Sequence, residues 1–363
     1  MNLNRLLSIK KTELSISVLS FVLIMFAVLS SRTSRLTSEY AISCKEKCEF
    51  VFKEQANLEK LITELKTKGA EFNKEQLEWA SGLLGWKRFQ RGRYILEGDY
   101  SYNALLSKLA RGIQDPVSVT ILPGLTKERL IQRIAKELHF TETEMKAVLE
   151  DTVYLAEQEM SEQDLFARML PETYLIYWTK DAEDVRKKIL REFERLVVDK
   201  YANQAQELNI SIDEALIMAS IIEWEAANTE EKPTISGLYW NRLNRRMPLQ
   251  ADPTVNYVVG ERRRLLFEDY QIDHPYNTYI HQGLPPGPIT NPSLSSIKAA
   301  LFPEEHDFLY MVASPEGGHV FSETFEQHKI ESERWRKWLR QQYRIKKQQE
   351  EKAQSEKETE TRL

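Results

Sequence analysis

The sequence has few metal-ligating side chains, and they are scattered along the chain. Its 363 residues include two Cys and six His. None of these residues has the spacing of a zinc site. We therefore predict no metal site and no cofactor.

The chain also lacks an excess of positive charge. Fifty Lys and Arg stand against 55 Asp and Glu, which gives a net charge of −5, and no dense basic stripe is present. A nucleic-acid partner is therefore not predicted. The apolar content of 42% and charged content of 29% fit a folded protein of about two domains, and no internal repeat is found.

One long apolar run departs from this composition. Leu14–Leu29 is interrupted only by serines and follows several basic residues. It is slightly shorter than the roughly 20 residues of a typical membrane-spanning helix. We predict a single-pass transmembrane anchor at 14–31, with residues 1–13 in the cytoplasm and the rest outside. A cleaved signal sequence is the alternative.

The two cysteines follow this run and would lie in the exported part. Cys44 and Cys48 could form a disulfide in a tight hairpin, whereas the same spacing on a helix gives poor bridge geometry. Two free thiols are the alternative.

The rest of the chain predicts a mixed α+β fold class. A strand–helix–helix–strand pattern over residues 45–122 is typical of LysM-like modules, although many small α+β units share it. A mixed α+β catalytic domain over 123–340 follows. Residues 344–363 are a charged tail, predicted as a solvated helix or a disordered segment. In the catalytic part, Thr126 and Asn291 are predicted to cap two helices, and Gly260 to end a short helix. Residues 171–174 are predicted to form a turn, and residues 306–313 and 319–321 a β-hairpin.

Ser211 and Glu214 form a capping box that opens a further helix. This helix, predicted over 212–227, carries two carboxylates in an apolar run. On a helix, Glu223 shares its face with small residues only, namely Ala219, Ser220, Ala226 and Ala227. The small face leaves room for a large group to approach. A half-buried Glu223 should have a raised pKa and could act as a general acid. A structural glutamate paired with Arg242, Arg245 or Arg246 is the alternative.

Two further carboxylates are candidates for a catalytic role beside Glu223. Glu225 lies 200° around the helix from Glu223, so the two cannot face one target, and we predict that Glu225 is structural. Asp252 precedes Pro253, which favours a helix N-cap over a second catalytic role. Gln250 is a plausible hydrogen-bond partner for a sugar.

The segment Tyr276–Pro292 is rich in proline and aromatic residues. Such a loop is stiff, and its aromatic faces could stack on sugar rings, but it could equally be a structural crossing. His319 and His328 have no Ser or Cys nucleophile motif near them, so we interpret them as ordinary core or surface residues.

These motifs, taken in order, closely resemble the endolytic murein transglycosylase family (MltG, or YceG-like). The resemblance is specific over about 171–328 and looser over 89–130. It is carried by Ala219-Ser220-Ile221-Ile222-Glu223-x-Glu225, Asn241-Arg242-Leu243, Leu249-Gln250-x-Asp252-Pro253-Thr254-Val255, Tyr276-Asn277-Thr278-Tyr279, Gly283-Leu284-Pro285-Pro286-Gly287-Pro288-Ile289-x-Asn291-Pro292, Lys298-Ala299-Ala300 and Gly318-His319-x-Phe321.

The resemblance implies a membrane-anchored lytic transglycosylase that acts on nascent peptidoglycan strands. It implies cleavage of the MurNAc-β-1,4-GlcNAc bond without water, to give 1,6-anhydroMurNAc ends, with Glu223 as the only acid and base. The substrate-binding residues that it implies are Gln250, Asp252, Tyr276, Asn277 and Thr278. It also implies an inner-membrane location with the catalytic domain on the periplasmic face, and possible association with peptidoglycan synthases.

The sequence departs from the family pattern at Trp224, where a charged residue is common, and at Glu172, where Asp or Asn is usual. Two other functions remain open. A glycosidase could use Glu223 together with Asp252, or the protein could be a non-catalytic peptidoglycan-binding scaffold.

Overall fold

The computed structural model describes the backbone of residues 3–360 and the side chains of residues 13–350. It contains two compact units. The first comprises the residues up to Ser118 together with Leu175–Lys180, and the second comprises Val119–Tyr174 and the residues from Asp181 onward. Both contain helices and strands, so the mixed α+β class is confirmed. The domain boundary at residue 122 stays a prediction.

The chain begins with a long helix, α1 (Leu3–Thr37). The most apolar 18-residue window within its segment Glu13–Thr37 has a mean hydropathy of 2.3, and none of this window is buried. The predicted anchor lies within this helix. Length and composition fit a single-pass anchor, but a signal sequence would fit equally. Residues 1 and 2 of the predicted cytoplasmic segment lie outside the described part of the chain.

The first unit is built on a three-stranded antiparallel sheet in which β1 is central. After α1, its elements are β1 (Ile42–Phe52), β2 (Ala56–Asn57), α2 (Leu58–Thr67), β3 (Glu71–Phe72), α3 (Lys74–Leu84), β4 (Arg88–Phe89), β5 (Gly92–Tyr100) and α4 (Tyr102–Ala110). The predicted order of strand, two helices and strand is therefore confirmed. Because many small α+β units share this order, a LysM-like identity stays a prediction.

The two cysteines lie on β1, not on a helix. Cys44 pairs with Gly98 and Cys48 with Leu96, so the residues between the cysteines form a bulge opposite β5. Both side chains are buried in the core of this unit, and both thiols are free. Burial and the neighbouring Cys48 thiol raise the pKa of Cys44 to about 12. The free-thiol alternative is the one present in this structure.

The second unit is mainly helical. Two short strands that cross the division between the units, β6 (Val117–Thr120) and β7 (Thr173–Ile176), pair with each other. The helices are α5 (Lys127–Glu137), α6 (Glu142–Leu149), α7 (Thr152–Glu157), α8 (Glu162–Ala167), α9 (Ala182–Phe193), α10 (Asp199–Glu207), α11 (Ile212–Glu225), α12 (Lys232–Asn244), α13 (Asp252–Val259) and α14 (Leu294–Leu301). A π-helical turn, Glu194–Val198, joins α9 to α10.

Helix α11 is the centre of this unit. Every residue from Ala215 to Ile222 is buried, so the helix is apolar on all sides rather than on one stripe. The capping box of Ser211 and Glu214 is present as predicted. Helices α12, α13 and α14 pack around it. This packing fixes the direction of every polar side chain that α11 carries.

Two local predictions were wrong. Helix α14 is capped by Ser293, whose side chain accepts from the Ser296 backbone, and not by Asn291. The segment predicted as a turn at 171–174 already contains the first residues of β7, beginning at Thr173.

The unit ends in a hairpin and a long helix. Strands β8 (Tyr310–Ala313) and β9 (His319–Ser322) pair as predicted, and α15 (Phe325–Glu360) follows. A Cβ on Gly318 would lie 2.0 Å from Glu231 Oε1, and its φ is +68°. Glycine is therefore needed here, because Glu231 accepts from the His319 backbone at 2.7 Å. The charged tail is helical through Glu360, and its last three residues lie outside the described part.

Candidate active site

The two carboxylates near the end of α11 point into different surroundings. Glu223 faces α14 and the start of α12, where its partners are serines and a lysine. Glu225, the last residue of α11, faces Asp252 at the start of α13 and Tyr239 on α12. The prediction that the two cannot serve one target is therefore confirmed.

Glu223 is enclosed by donors. Its Oε2 accepts from the Ser293 backbone at 2.9 Å, from the Ser293 hydroxyl at 2.5 Å and from the Ser296 hydroxyl at 2.6 Å. The Lys232 ammonium lies 3.2 Å from the same oxygen and also donates to Ser293. Side-chain exposure is 11% for Glu223 and 9% for Lys232. This is the geometry of a largely buried ion pair in which the donors converge on one carboxylate oxygen.

These contacts overturn the expected acidity of Glu223. Burial alone would raise its pKa, but the hydrogen bonds from Ser293 and Ser296, together with the Lys232 charge, lower it below its ordinary value. The direction of this shift favours the charged form of Glu223. The alternative of an ion pair was right in kind, although the partner is Lys232 and not an arginine.

One of the small residues beside Glu223 contacts another part of the protein. Ser220 Oγ accepts from the Ile289 backbone at 3.0 Å and donates to the Ile217 carbonyl. The proline-rich segment therefore packs directly against α11 at Ser220. Ala226 is partly buried and Ala227 is exposed, so this loop covers only one part of the small face.

Glu225 has the acidity that was expected of Glu223. It is partly buried. Burial and the nearby Asp252 carboxylate raise its pKa from 4.5 to about 7, while Tyr239, Arg242 and Arg262 act in the opposite direction. A carboxyl with this pKa is protonated in a large fraction of molecules at neutral pH. The interpretation of Glu225 as structural stays a prediction.

Glu225 also lines a small cavity that Glu223 does not line. The cavity has a volume of about 170 Å³ and is lined by Trp224, Glu225, Asp252, Pro253, Asn256 and Arg262. Helices α11 and α13 and the segment after α13 supply these residues. A reacting group in this cavity would meet a protonatable carboxyl and a second carboxylate.

Asp252 does not cap its helix. It is the first residue of α13, Ala251 occupies the N-cap position without a side-chain cap, and Pro253 follows. The Asp252 carboxylate instead accepts from the Tyr279 hydroxyl at 2.6 Å and from the Tyr270 hydroxyl at 3.3 Å. The predicted end of this helix at Gly260 is confirmed.

The loop residues predicted to bind substrate divide into buried and accessible positions. Asn277 is completely buried, and its amide donates to the carbonyls of Tyr270 and Ile272. The Thr278 hydroxyl, also buried, contacts the Ala251 backbone at 3.1 Å. These two side chains hold the loop that carries Tyr279, and their polar groups are already engaged within the protein.

The other two predicted binding residues are more accessible. Tyr276 is partly buried and stacks near Tyr257, with ring centroids 4.6 Å apart. Gln250 is exposed and has a positive φ of 50°, and its backbone donates to the Thr278 carbonyl. Neither side chain lines the cavity of Glu225.

A larger cavity lies beside the smaller one. Its volume is about 770 Å³, within the usual range of ligand sites. The two share three lining residues, Trp224, Asn256 and Arg262. Pro288 and Ile289 form part of its wall, which agrees with the interpretation of the stiff segment as the wall of a cleft. We refer to the two cavities together as the cleft.

The far wall of the cleft is held in place by Asn291. Its side chain accepts from the Leu125 backbone at 3.0 Å and donates to the carbonyls of Leu122 and Met169. Residues Gly124 and Thr126, which line the cleft, are therefore tied to the proline-rich segment. Asn291 was predicted as a helix cap, but its contribution is to position this wall.

Sequence reasoning missed several residues of the site. Lys232, Ser293 and Ser296 surround Glu223, although they are distant from it in sequence. Asn256 and Arg262 line the cleft, and no local pattern indicates this. The one signal was Trp224, noted as a departure from the family pattern, which lines both cavities.

The fold and the site together define a class of protein that has a protonatable glutamate at the end of a buried helix, facing a cleft. The model of the YceG-like family matches residues 50–334. The chain therefore belongs to the YceG-like family.

Relatives of known name agree with this. The chain is 32% identical over 268 residues to an endolytic murein transglycosylase of Bacillus subtilis, covering 69% of this chain and 74% of the relative. It is 27% identical over 300 residues to a protein of the same name from Streptococcus pneumoniae, covering 74% of this chain and 54% of the relative.

A solved structure shows the same fold. The crystal structure of a yceG-like protein from Listeria monocytogenes superposes with a TM-score of 0.56 at 28% identity. The match covers 79% of this chain and 99% of the other.

Proposed function

We propose that this chain is an endolytic lytic transglycosylase of peptidoglycan, and that Glu225 is its general acid and base. The names of the relatives support the reaction class. The observation that carries the assignment within the site is that Glu225 both lines the cleft and has a pKa raised to about 7. The proposal replaces Glu223, the residue expected from the sequence.

The proposed reaction needs one group that can donate and then accept a proton. Protonated Glu225 donates to the glycosidic oxygen, and the bond from this oxygen to the muramyl anomeric carbon breaks. The muramyl 6-hydroxyl attacks the anomeric carbon and gives up its proton to the Glu225 carboxylate. The products are a 1,6-anhydro end and a free hydroxyl, no water is consumed, and Glu225 returns to its protonated form.

Asp252 supports this reaction without supplying the proton. Its carboxylate lies in the same cavity as Glu225 and raises the pKa of Glu225. The hydroxyls of Tyr279 and Tyr270 hold it by hydrogen bonds. A fixed negative charge at this place would stabilise the positive charge that develops on the sugar during bond cleavage.

Glu223 has a positioning role in this proposal. Its ion pair with Lys232 and its bonds to Ser293 and Ser296 join α11, α12 and α14. The junction lies two residues before Glu225 and fixes the end of α11. Asn277 and Thr278 have the corresponding role for the loop that carries Tyr279, while Tyr276 and Gln250 stay candidates for contacts with a longer glycan.

The presence of a second carboxylate in the cavity favours one other function. A glycoside hydrolase also uses an acid and a second carboxylate, with water as the final acceptor. Here the pair would be Glu225 with Asp252, and not Glu223 with Asp252. The lytic reaction is preferred because the relatives carry that name.

Cellular placement follows from the first unit. We propose that α1 is an uncleaved anchor in the cytoplasmic membrane and that the cleft lies on the outer face, where peptidoglycan is found. The helix–strand unit after α1 would then be a LysM-like glycan-binding module, close to any peptidoglycan synthases with which the protein associates.

Product analysis tests the reaction. Purified full-length protein in detergent is incubated with glycan strands, and the products are examined by mass spectrometry. A lytic reaction leaves muropeptides that are lighter by one water than the products of hydrolysis. Hydrated products lost in Glu225→Gln would indicate the hydrolase instead, and strands that are bound but never cut would indicate the scaffold.

A further inference from the structure

Arg262 stands where the two cavities of the cleft meet. Together with Trp224 and Asn256 it lines both the cavity of Glu225 and the larger cavity of about 770 Å³. Its charge also acts on Glu225, whose pKa it lowers. A substrate that occupies both cavities must therefore pass this side chain.

The guanidinium of Arg262 is held in place by Trp224. Its Cζ lies 4.9 Å from the centroid of the Trp224 ring, and Nη2 donates to the Trp224 carbonyl at 3.3 Å. Trp224 itself lies against Gly124, where a Cβ would come within 3.3 Å of the indole nitrogen. Stacking on a ring orients an arginine and leaves the donors at its edge available.

The neighbouring arginine is different. Arg263 forms two hydrogen bonds of 2.8 Å to the carboxylate of Asp269. Among the residues that the structure describes, Arg262 forms no ion pair with a carboxylate, and its side chain is exposed. The Arg263 guanidinium is thus occupied by a carboxylate of its own loop, whereas the Arg262 guanidinium has donors free for a ligand.

A guanidinium with free donors binds carboxylates, often through two parallel hydrogen bonds. The sugar rings of peptidoglycan carry no charge of their own, but the peptide stem on the muramyl residue carries carboxylates. Of the other cations that line the cleft, Lys127 is bound by Glu150 and Glu162, and Arg129 lines only the larger cavity. Arg262 is the cation that also reaches the acid.

We propose that Arg262, oriented by Trp224, binds a carboxylate of the peptide stem and makes this enzyme selective for glycan strands that still carry their peptides. The proposal rests on the proposed function, because it places the muramyl residue at Glu225. It assigns Trp224 and Arg262 a role in substrate selection, separate from bond cleavage.

The test compares one glycan preparation in two forms. Uncrosslinked strands with intact peptide stems are used directly, or after an amidase has removed the stems. Wild-type full-length protein, Arg262→Ala, Arg262→Lys and Arg264→Ala are assayed on both forms for kcat and KM. Arg264 is an exposed arginine of the same loop that does not line the cleft, and it serves as the matched control.

The expected result depends on the substrate. Arg262→Ala should lower kcat/KM on peptide-bearing strands by about 10- to 100-fold, mainly through KM, because one charge-assisted contact is lost. On stripped strands the loss in kcat/KM should be at least several-fold smaller, because only the effect of the Arg262 charge on Glu225 is removed there. Arg262→Lys should be intermediate, since the charge remains but the paired donors are lost, and Arg264→Ala should match the wild type on both.

Two results would overturn the proposal. The first is an equal loss on both substrates, accompanied by a higher alkaline pKa in the pH profile, which would show that Arg262 acts only through Glu225. The second is no loss on either substrate. The variant Glu225→Gln distinguishes failure of the Arg262 proposal from failure of the proposed function. If Glu225→Gln cuts both substrates at the wild-type rate, Glu225 is not the acid, whatever the behaviour of Arg262.

Discussion

The two ends of the Glu223–Glu225 segment show how differently one helix can present the same side chain. Glu223 is surrounded by two serines and a lysine, which hold its pKa below the ordinary value. Glu225, two residues later, lies in a cavity beside Asp252, and its pKa is raised to about 7. The difference shows that burial alone does not make an acid. The donors around the carboxylate decide whether burial favours the proton or the charge.

Exchange of each glutamate for glutamine should separate their roles most clearly. We expect Glu225→Gln to lower kcat by a factor of about 10² to 10⁴, because the amide cannot donate a proton to the leaving oxygen. Release of anhydro-muropeptides measures the effect. The variant should remain folded, as circular dichroism can show, and cleavage at close to the wild-type rate would remove Glu225 from the mechanism.

Glu223→Gln should instead affect mainly stability. The exchange leaves the Lys232 ammonium buried without its counter-charge, so we expect a loss of about 3 kcal/mol in the free energy of unfolding. Denaturant unfolding of the full chain in detergent measures this loss. Glu230→Gln, an exposed glutamate between α11 and α12, is the control and should change nothing.

The activities of the two glutamine variants provide a further test of the comparison between Glu223 and Glu225. Per folded molecule, Glu223→Gln should retain far more activity than Glu225→Gln. If the two variants are equally inactive while both remain folded, Glu223 also takes part in the chemistry, and the division proposed here is wrong.

The two glutamates should also contribute to stability with opposite dependence on pH. The folded-state pKa of Glu225 exceeds its unfolded value of 4.5, so its contribution is fully present below pH 4.5 and is lost as the pH rises towards 7. The change amounts to at most about 3 kcal/mol. Glu223 has a lowered pKa, so its contribution is present above pH 4.5 and is lost as the pH falls.

Unfolding free energies at several pH values between 4 and 8, with each Gln variant subtracted from the wild type, measure these contributions. If the difference in unfolding free energy between the wild type and Glu225→Gln does not change across this range, the pKa of Glu225 is not raised. The groups around Glu225 that set its titration are Asp252, Tyr239, Arg242 and Arg262.

The smallest expected effect is the shift in the pH dependence of activity that Asp252 causes. Asp252→Asn removes the negative charge that raises the pKa of Glu225, so the alkaline limb of the pH–rate profile should move to lower pH by about one unit. Asp273→Asn alters an exposed carboxylate of the same region that does not line the cleft, and should leave the limb in place. An unmoved limb in Asp252→Asn would mean that the two carboxylates do not interact.

Much of the fold could be predicted from local pattern. The capping box at Ser211, the cap at Thr126 and the glycine at 260 mark helix ends through hydrogen bonds and backbone angles that depend on nearby residues only. The order of elements in the first unit and the β8–β9 hairpin followed from the same local signals.

The site could be predicted only in part. The motif around Glu223 and Glu225 identified the right helix, and helical geometry separated the two side chains. The choice of Glu223 rested on the small residues beside it, and the loop at Ile289 packs against one of them, Ser220. Asp252 was likewise assigned to a local cap, although its partner Tyr279 lies 27 residues away.

The sequence by itself therefore determined the family, the apolar N-terminal segment and the helix that carries both candidate glutamates. Tertiary structure alone decided which of the two has the lowered pKa, since the serine donors to Glu223 lie about 70 positions further along the chain. The physical reason is the separation in sequence of the residues that determine each property. Helix ends and periodic faces arise from neighbours within a few residues, whereas a pKa depends on every charge and donor within a few ångström, whatever their place in the sequence.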